Sequence, residues 1–145
     1  IIYQVPQGTG MIVLASDENE FTNNLIEGNQ STGIIVAAYN GDLFGLYDDP
    51  EFDPYAERNY IHDNTFTNNG YDPQGLVAAL NLIRPAPDIL FDGCLPPSGR
   101  DENCIQEDPA VRFHNLDFCS EQSQPTSEMQ PYDCRHDPLP TQLNQ

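Results

Sequence analysis

Asn59-Tyr60-Ile61-His62-Asp63-Asn64-Thr65-Phe66-Thr67-Asn68-Asn69 repeats the pattern of Asn19-Glu20-Phe21-Thr22-Asn23-Asn24-Leu25-Ile26-Glu27-Gly28-Asn29. Both read N-x-φ-x-x-N-x-φ-x-x-N, where φ is a large apolar residue. Self-similarity of this kind marks architectures in which one short unit stacks on the next. A second repeat runs beside it. Gly10-Met11-Ile12-Val13-Leu14-Ala15 resembles Gly33-Ile34-Ile35-Val36-Ala37-Ala38 and Gly75-Leu76-Val77-Ala78-Ala79-Leu80. Gly10 and Gly33 stand 23 residues apart. The gap from Gly33 to Gly75 equals one further unit plus an insertion of roughly 20 residues, for repeat units of ~20–30 residues. That insertion is read at 42–58, rich in Asp, Pro and Tyr.

Short apolar runs punctuated by Asn and Gly at this period predict an all-β chain, a right-handed parallel β-helix, over residues 1–92. Asn suits the corners, because it tolerates left-handed backbone and bonds its own main chain. Equivalent asparagines on successive turns can also bond one another up the stack. Phe21, Ile26, Ile61 and Phe66 then point inward. The segment 73–83 fits either a third strand or about two helical turns, and Pro85 and Pro87 stop either one. Residues 93–145 read as an irregular, disulfide-containing extension that covers the stack. Within it, 110–118 has strand-like alternation with Val111, Phe113 and Leu116 facing in. The end of the chain, from Asp137 on, reads as frayed.

The chain has 145 residues and a net charge of −18, from 23 acidic residues against five arginines and no lysine. Such a charge repels nucleic acid and anionic lipid. No apolar run reaches the length of a membrane span. Ile1 enters apolar sequence with no polar cap, which predicts missing upstream turns. The four cysteines, Cys94, Cys104, Cys119 and Cys134, lack zinc-ligand spacing and predict two disulfides in an oxidising compartment, periplasmic or extracellular. Short loops close most easily, which favours Cys94–Cys104 and Cys119–Cys134.

Gly8 to Asp17, the insertion Tyr47-Asp48-Asp49-Pro50-Glu51-Phe52-Asp53-Pro54-Tyr55, Ile61 to Gly70, and Cys104 to Asp117 resemble a bacterial family of exported parallel β-helix repeat proteins. The resemblance implies a right-handed parallel β-helix and an upstream signal or lipoprotein peptide. It supplies no activity and no catalytic residues.

Candidate chemistry concentrates in the insertion. Asp48, Asp49, Glu51 and Asp53 offer oxygen ligands that suit Ca²⁺, although the EF-hand spacing is absent. The plain alternative is a solvated acidic loop. For acid–base work on a polysaccharide, as a lyase, epimerase or hydrolase, the candidates are Asp63, Arg58, Arg84 and Asp88. Their plain alternative is ordinary ion pairing. His62, His114 and His136 are scattered, and with Met11 and Met129 they make only a thin case for copper. Asn29-Gln30-Ser31 fits a glycosylation acceptor or a corner. Tyr39, Tyr47, Tyr55, Tyr60 and Tyr71 could stack on sugar rings or pack the insertion onto the stack. The lead expectation is binding of a glycan or a cell-envelope protein through the flat sheet face and the acidic insertion. The alternatives are the polysaccharide enzyme, its site shared with upstream turns, and a structural subunit of an envelope complex.

Overall fold

The computed structural model describes residues 5–137. The expectations for Ile1 and for the chain beyond 137 lie outside the described residues. The strands are β1 (Thr9–Leu14), β2 (Glu20–Thr22), β3 (Leu25–Glu27), β4 (Thr32–Ala37), β5 (Tyr60–His62), β6 (Thr65–Thr67), β7 (Ile89–Phe91), β8 (Cys104–Gln106) and β9 (Phe113–Asn115). Two short helices interrupt them, α1 (Gly41–Phe44) and α2 (Gly75–Ala79). The regular structure of the described chain is therefore mostly strand, of the all-β kind. Its strands form three short, separate sheets in the orders β1-β4-β7-β9, β2-β5-β8 and β3-β6. Every pairing between them is parallel.

The two Asn patterns lie side by side: Phe21 pairs with Ile61 and Ile26 with Phe66. Ile26 and Ile61 are buried, and Phe21 and Phe66 pack against the same core as Val13, Ile34, Val36, Ile89, Phe91, Ile105 and Phe113. The asparagines form ladders. Oδ1 of Asn59 accepts from the backbone N–H of Asn19 at 3.0 Å and from its Nδ2 at 2.8 Å. Asn59 repeats both bonds on Asn103, at 2.9 and 3.1 Å. Asn24 does the same on Asn64, and Asn29 on Asn69. Carboxylates end those two ladders, Glu107 beneath Asn64 and Asp88 beneath Asn69.

The ladder asparagines are not the left-handed residues. That conformation falls one position earlier, at Glu18, Asn23, Gly28, Arg58, Asp63, Asn68 and Glu102. The corner thus divides its work between two neighbours. One turns the chain, at the modest cost a non-glycine residue incurs there, and the next satisfies the buried amides with its side chain.

One open choice is decided and three expectations need correction. The segment 75–80 is not a third strand: it forms α2, and the third strand of the main sheet is Ile89–Phe91, in register with Ile34–Val36. A second excursion, holding α2, therefore separates β6 from β7. It closes where Gly70, at φ 71°, brings its chain against Ala86, leaving 2.2 Å between an added Cβ and the Ala86 carbonyl oxygen. Residues 93–145 are not wholly irregular, because β8 and β9 extend two of the parallel sheets. Leu116 does not face inward with Phe113. It packs with Ile35, Val77 and Leu90 on the outer side of the main sheet. The disulfides join Cys94 to Cys119 and Cys104 to Cys134. Cys94 and Cys119 each follow a strand, β7 and β9, and those strands are hydrogen-bonded neighbours. Proximity in the sheet therefore outweighs proximity along the chain.

Beyond β9 the chain folds back. Thr126 bridges Asn115 in antiparallel fashion, and Met129 and Tyr132 pack against the core. The Tyr132 ring meets Phe91 and Phe113 at 5.0 and 5.3 Å. Its hydroxyl accepts from Asn115 Nδ2 at 2.7 Å, and burial pushes its pKa up to about 12.

Candidate binding groove

Alternation along a strand sends successive side chains to opposite faces. In the main sheet both faces are apolar. Val13, Ile34, Val36, Ile89, Phe91 and Phe113 point into the core. Ile12, Ile35, Leu90 and Leu116 point outward. A sheet apolar on both faces is normally covered on both. Here α2 covers part of the outer face through Val77 and Leu80, and the remainder forms a groove of about 600 Å³. Its floor is Ile12, Leu14, Ile35, Ala37, Leu90 and Asp92. One wall is α2, with Leu76, Val77 and Leu80. Tyr39 and the insertion that follows supply a second, with Phe44, Leu46, Tyr47 and Tyr55, and the Cys94–Cys119 disulfide with Phe118 supplies a third.

The insertion wall is built by aromatic packing. Tyr39 meets Phe44, Tyr47 and Phe52 at 5.2, 5.6 and 5.3 Å, distances at which aromatic pairs attract. Its hydroxyl donates toward the carbonyls of Phe44 and Gly45. Several large apolar side chains on this surface are open to water. Leu46 is 95% exposed and Phe118 61%.

Among the described residues, Asp92 is the one charged residue lining the groove. Its Oδ2 accepts from the Ala38 N–H at 2.8 Å and its Oδ1 from the Cys94 N–H at 3.0 Å. Burial dominates over those bonds and pushes its pKa up to about 6. The folded chain therefore holds this proton more tightly than the unfolded chain does. The stability it adds is fully present below about pH 4 and is lost as pH rises through about 6, a total of roughly 2–3 kcal/mol. Denaturant unfolding from pH 4 to 7 should show the difference between the native chain and Asp92→Asn shrinking by that amount. A difference that stays flat with pH would mean the carboxyl is hydrated.

The other sequence candidates sit elsewhere. Tyr39, Tyr47 and Tyr55 line the groove, but Tyr60 and Tyr71 do not. Tyr60 is buried, stacked on the His62 ring at 4.0 Å, with its hydroxyl bonded to Gln106 Oε1. Tyr71 lies with Arg84 and Arg112 at a separate shallow cleft. Arg84 reaches Asp72 only at 3.8 Å. Asp88 is buried and takes Arg112 at 2.8 Å, which gives it a structural role. Arg58 reaches Asp17, Glu18 and Glu57 at 3.4, 3.1 and 3.1 Å. Asp63 is bonded to His62 Nδ1 at 2.7 Å, while Glu20 holds Nε2 at 2.9 Å. Burial opposes charge on His62, yet its two carboxylate partners outweigh burial and hold its pKa above the usual value. The catalytic candidates are therefore dispersed, and Arg58, Asp88 and Asp63 are already engaged by oppositely charged or hydrogen-bonding partners.

Within the insertion, Asp49 and Asp53 turn inward to their own loop. Asp49 accepts from the Glu51 N–H and Asp53 from the Tyr55 N–H. Among the described residues, no three His, Cys, Asp or Glu side chains are grouped as a metal ion requires. His114 bonds Ser127, His136 meets the Glu102 carbonyl, and Met11 and Met129 pack on the core, so none of these converge either. Comparison with known protein families, with curated proteins and with solved structures found no match. No helix among the described residues is long and apolar enough to cross a membrane.

The sequence singled out Tyr39, Tyr47 and Tyr55 and a flat sheet face, but not the residues that make the groove floor. Its signal was present in Met11–Leu14, Ile34–Ala37 and Ile89–Phe91, which are continuously apolar rather than alternating. Such runs mark strands with two buried faces.

Proposed function

We propose that this chain is an exported right-handed parallel β-helix protein of the bacterial repeat kind, and that it binds a cell-envelope protein through the open face of its main sheet. Support for the β-helix comes from chain order. Each pass along the sequence adds one strand to a parallel sheet, and the asparagines stack in step. Right-handedness is the usual hand of parallel crossovers. The two disulfides favour an oxidising compartment.

The binding reading rests on one observation: the outer face of the main sheet is apolar, walled and open. Open apolar surface of this kind marks interaction sites on exported and soluble chains alike. Its occupant is better read as the apolar part of a protein than as a glycan. Sugar hydroxyls need several convergent polar groups, and this groove offers few. Neither the enzyme reading nor calcium binding gains a gathered set of residues.

Panning a displayed peptide library against the intact chain tests this reading. Selected peptides are expected to lose affinity by about tenfold or more when Leu76 is replaced by Asn, because an uncharged amide on the wall must be desolvated. Leu76 is half exposed, so the variant is expected to fold. Peptides indifferent to Leu76→Asn, or glycan-array binders with no peptide binders, would overturn it.

A further inference from the structure

We propose that the segment received by this groove is basic: an apolar polypeptide stretch carrying a lysine or arginine whose cation reaches Asp92. This rests on the groove reading above and adds the chemistry of the occupant.

Asp92 differs from the sheltered acids Asp88 and Glu57, each of which has an arginine partner, Arg112 for Asp88 and Arg58 for Glu57. Asp92 stands in an apolar groove whose described lining includes no Arg, Lys or His. Two backbone N–H groups fix the carboxyl in place. Each of its oxygens bears two lone pairs, so one on each is left after those bonds. A buried carboxylate is costly until a counter-charge reaches it. Burial on the groove floor disfavours its ionised form. An incoming ammonium or guanidinium removes that cost, while its aliphatic stem lies on Ile35 and Leu90, as long basic side chains do on apolar surface.

The rim carries the same sign. Asp42, Asp48 and Asp49 are exposed on the insertion that forms the groove's aromatic wall. The whole chain carries −18. A field of that sign speeds the approach of a basic partner and rejects an acidic one. The groove is open to solvent and the rim acids lie outside it, so a chain longer than the groove meets both. A small amine would meet only Asp92.

The experiment uses the disulfide-intact chain and three blocked peptides of leucine and phenylalanine with one central variable residue: lysine, norleucine or glutamate. Affinities are read by calorimetry at pH 7.5. The lysine peptide is expected to bind about tenfold tighter than its norleucine twin, a partly desolvated charge pair being worth at least ~1.4 kcal/mol. The glutamate peptide should be weakest. In Asp92→Asn the preference for lysine over norleucine should fall to within about twofold. Should that variant fail to fold, Asp48→Asn combined with Asp49→Asn gives a second test at exposed positions. It is expected to lower lysine-peptide affinity by a smaller factor that vanishes in high salt. If the lysine and norleucine peptides bind the native chain equally, the basic occupant is overturned while the groove stands. If none binds, both fall.

Discussion

Replacing Asn59 by alanine is expected to cost about 4 kcal/mol of folding stability, read from the denaturant midpoint. Asn59 is 1% exposed and sits in the middle of a ladder. Its Oδ1 accepts two bonds from Asn19, and its Nδ2 donates to the Ser16 carbonyl at 2.9 Å and to Asn103 Oδ1 at 3.1 Å. Alanine removes all four at once. Each lost bond is worth about 1 kcal/mol, and a buried partner left unmatched costs more. Against the 5–15 kcal/mol total typical of a domain, such a loss approaches unfolding. Asn23→Ala is the control. Asn23 turns a corner at φ 57°, is exposed, and bonds only its neighbour Thr22 through its side chain. It should lose no more than about 1 kcal/mol. Equal losses at the two positions would refute the division of labour between turning residue and ladder residue.

Removing the Cys104–Cys134 disulfide as a double alanine variant is expected to cost about 4 kcal/mol. It closes a loop of 30 residues, for which the loss of unfolded-chain entropy alone predicts nearly that much. Cys104 lies within β8 and is buried, so the bond anchors the returning tail directly to the sheet. Tyr132 should leave the Phe91–Phe113 pair, and the near-ultraviolet circular dichroism from tyrosine should fall before the strands melt. Limited proteolysis should cut first between 120 and 134. Retained stability and an uncut tail would show that Tyr132 and Met129 hold the end without the covalent bond.

What the sequence made legible was whatever repeats. Asn19, Asn24, Asn29 and their partners at Asn59, Asn64 and Asn69 form the expected ladders, and the four φ residues join the core. The third rung was also written there, as Asn103-Cys104-Ile105, but without the second half of the pattern: the position an Asn would complete is Asp108, and Glu107, one residue earlier, accepts from Asn64 instead. The Gly75 run escaped a firm reading because its composition fits strand and helix alike, and its one buried side chain is Val77. The disulfide pairing escaped because chain entropy ranks loops by length, whereas Cys94 and Cys119 are brought together by β7 lying beside β9. The groove was legible only by halves. Tyrosines at 39, 47 and 55 hinted at its wall, but nothing local in the sequence tells that α2 leaves part of the outer face uncovered.

Ile34 pairs with Ile89, and Tyr60 with Cys104, in the same parallel register as Met11 with Ile34, although long and unequal stretches of chain separate the first two pairs. The sheets are therefore indifferent to how much chain leaves between one strand and the next. In this molecule the departures at 42–58 and around α2 are the groove's walls, while the strands are its floor. On the binding reading proposed above, the walls lie in parts of the chain separate from the ladder asparagines that hold the fold. Walls of other lengths and chemistries can be exchanged on the same frame, so one scaffold can be respecified for a different partner without a single ladder asparagine being touched.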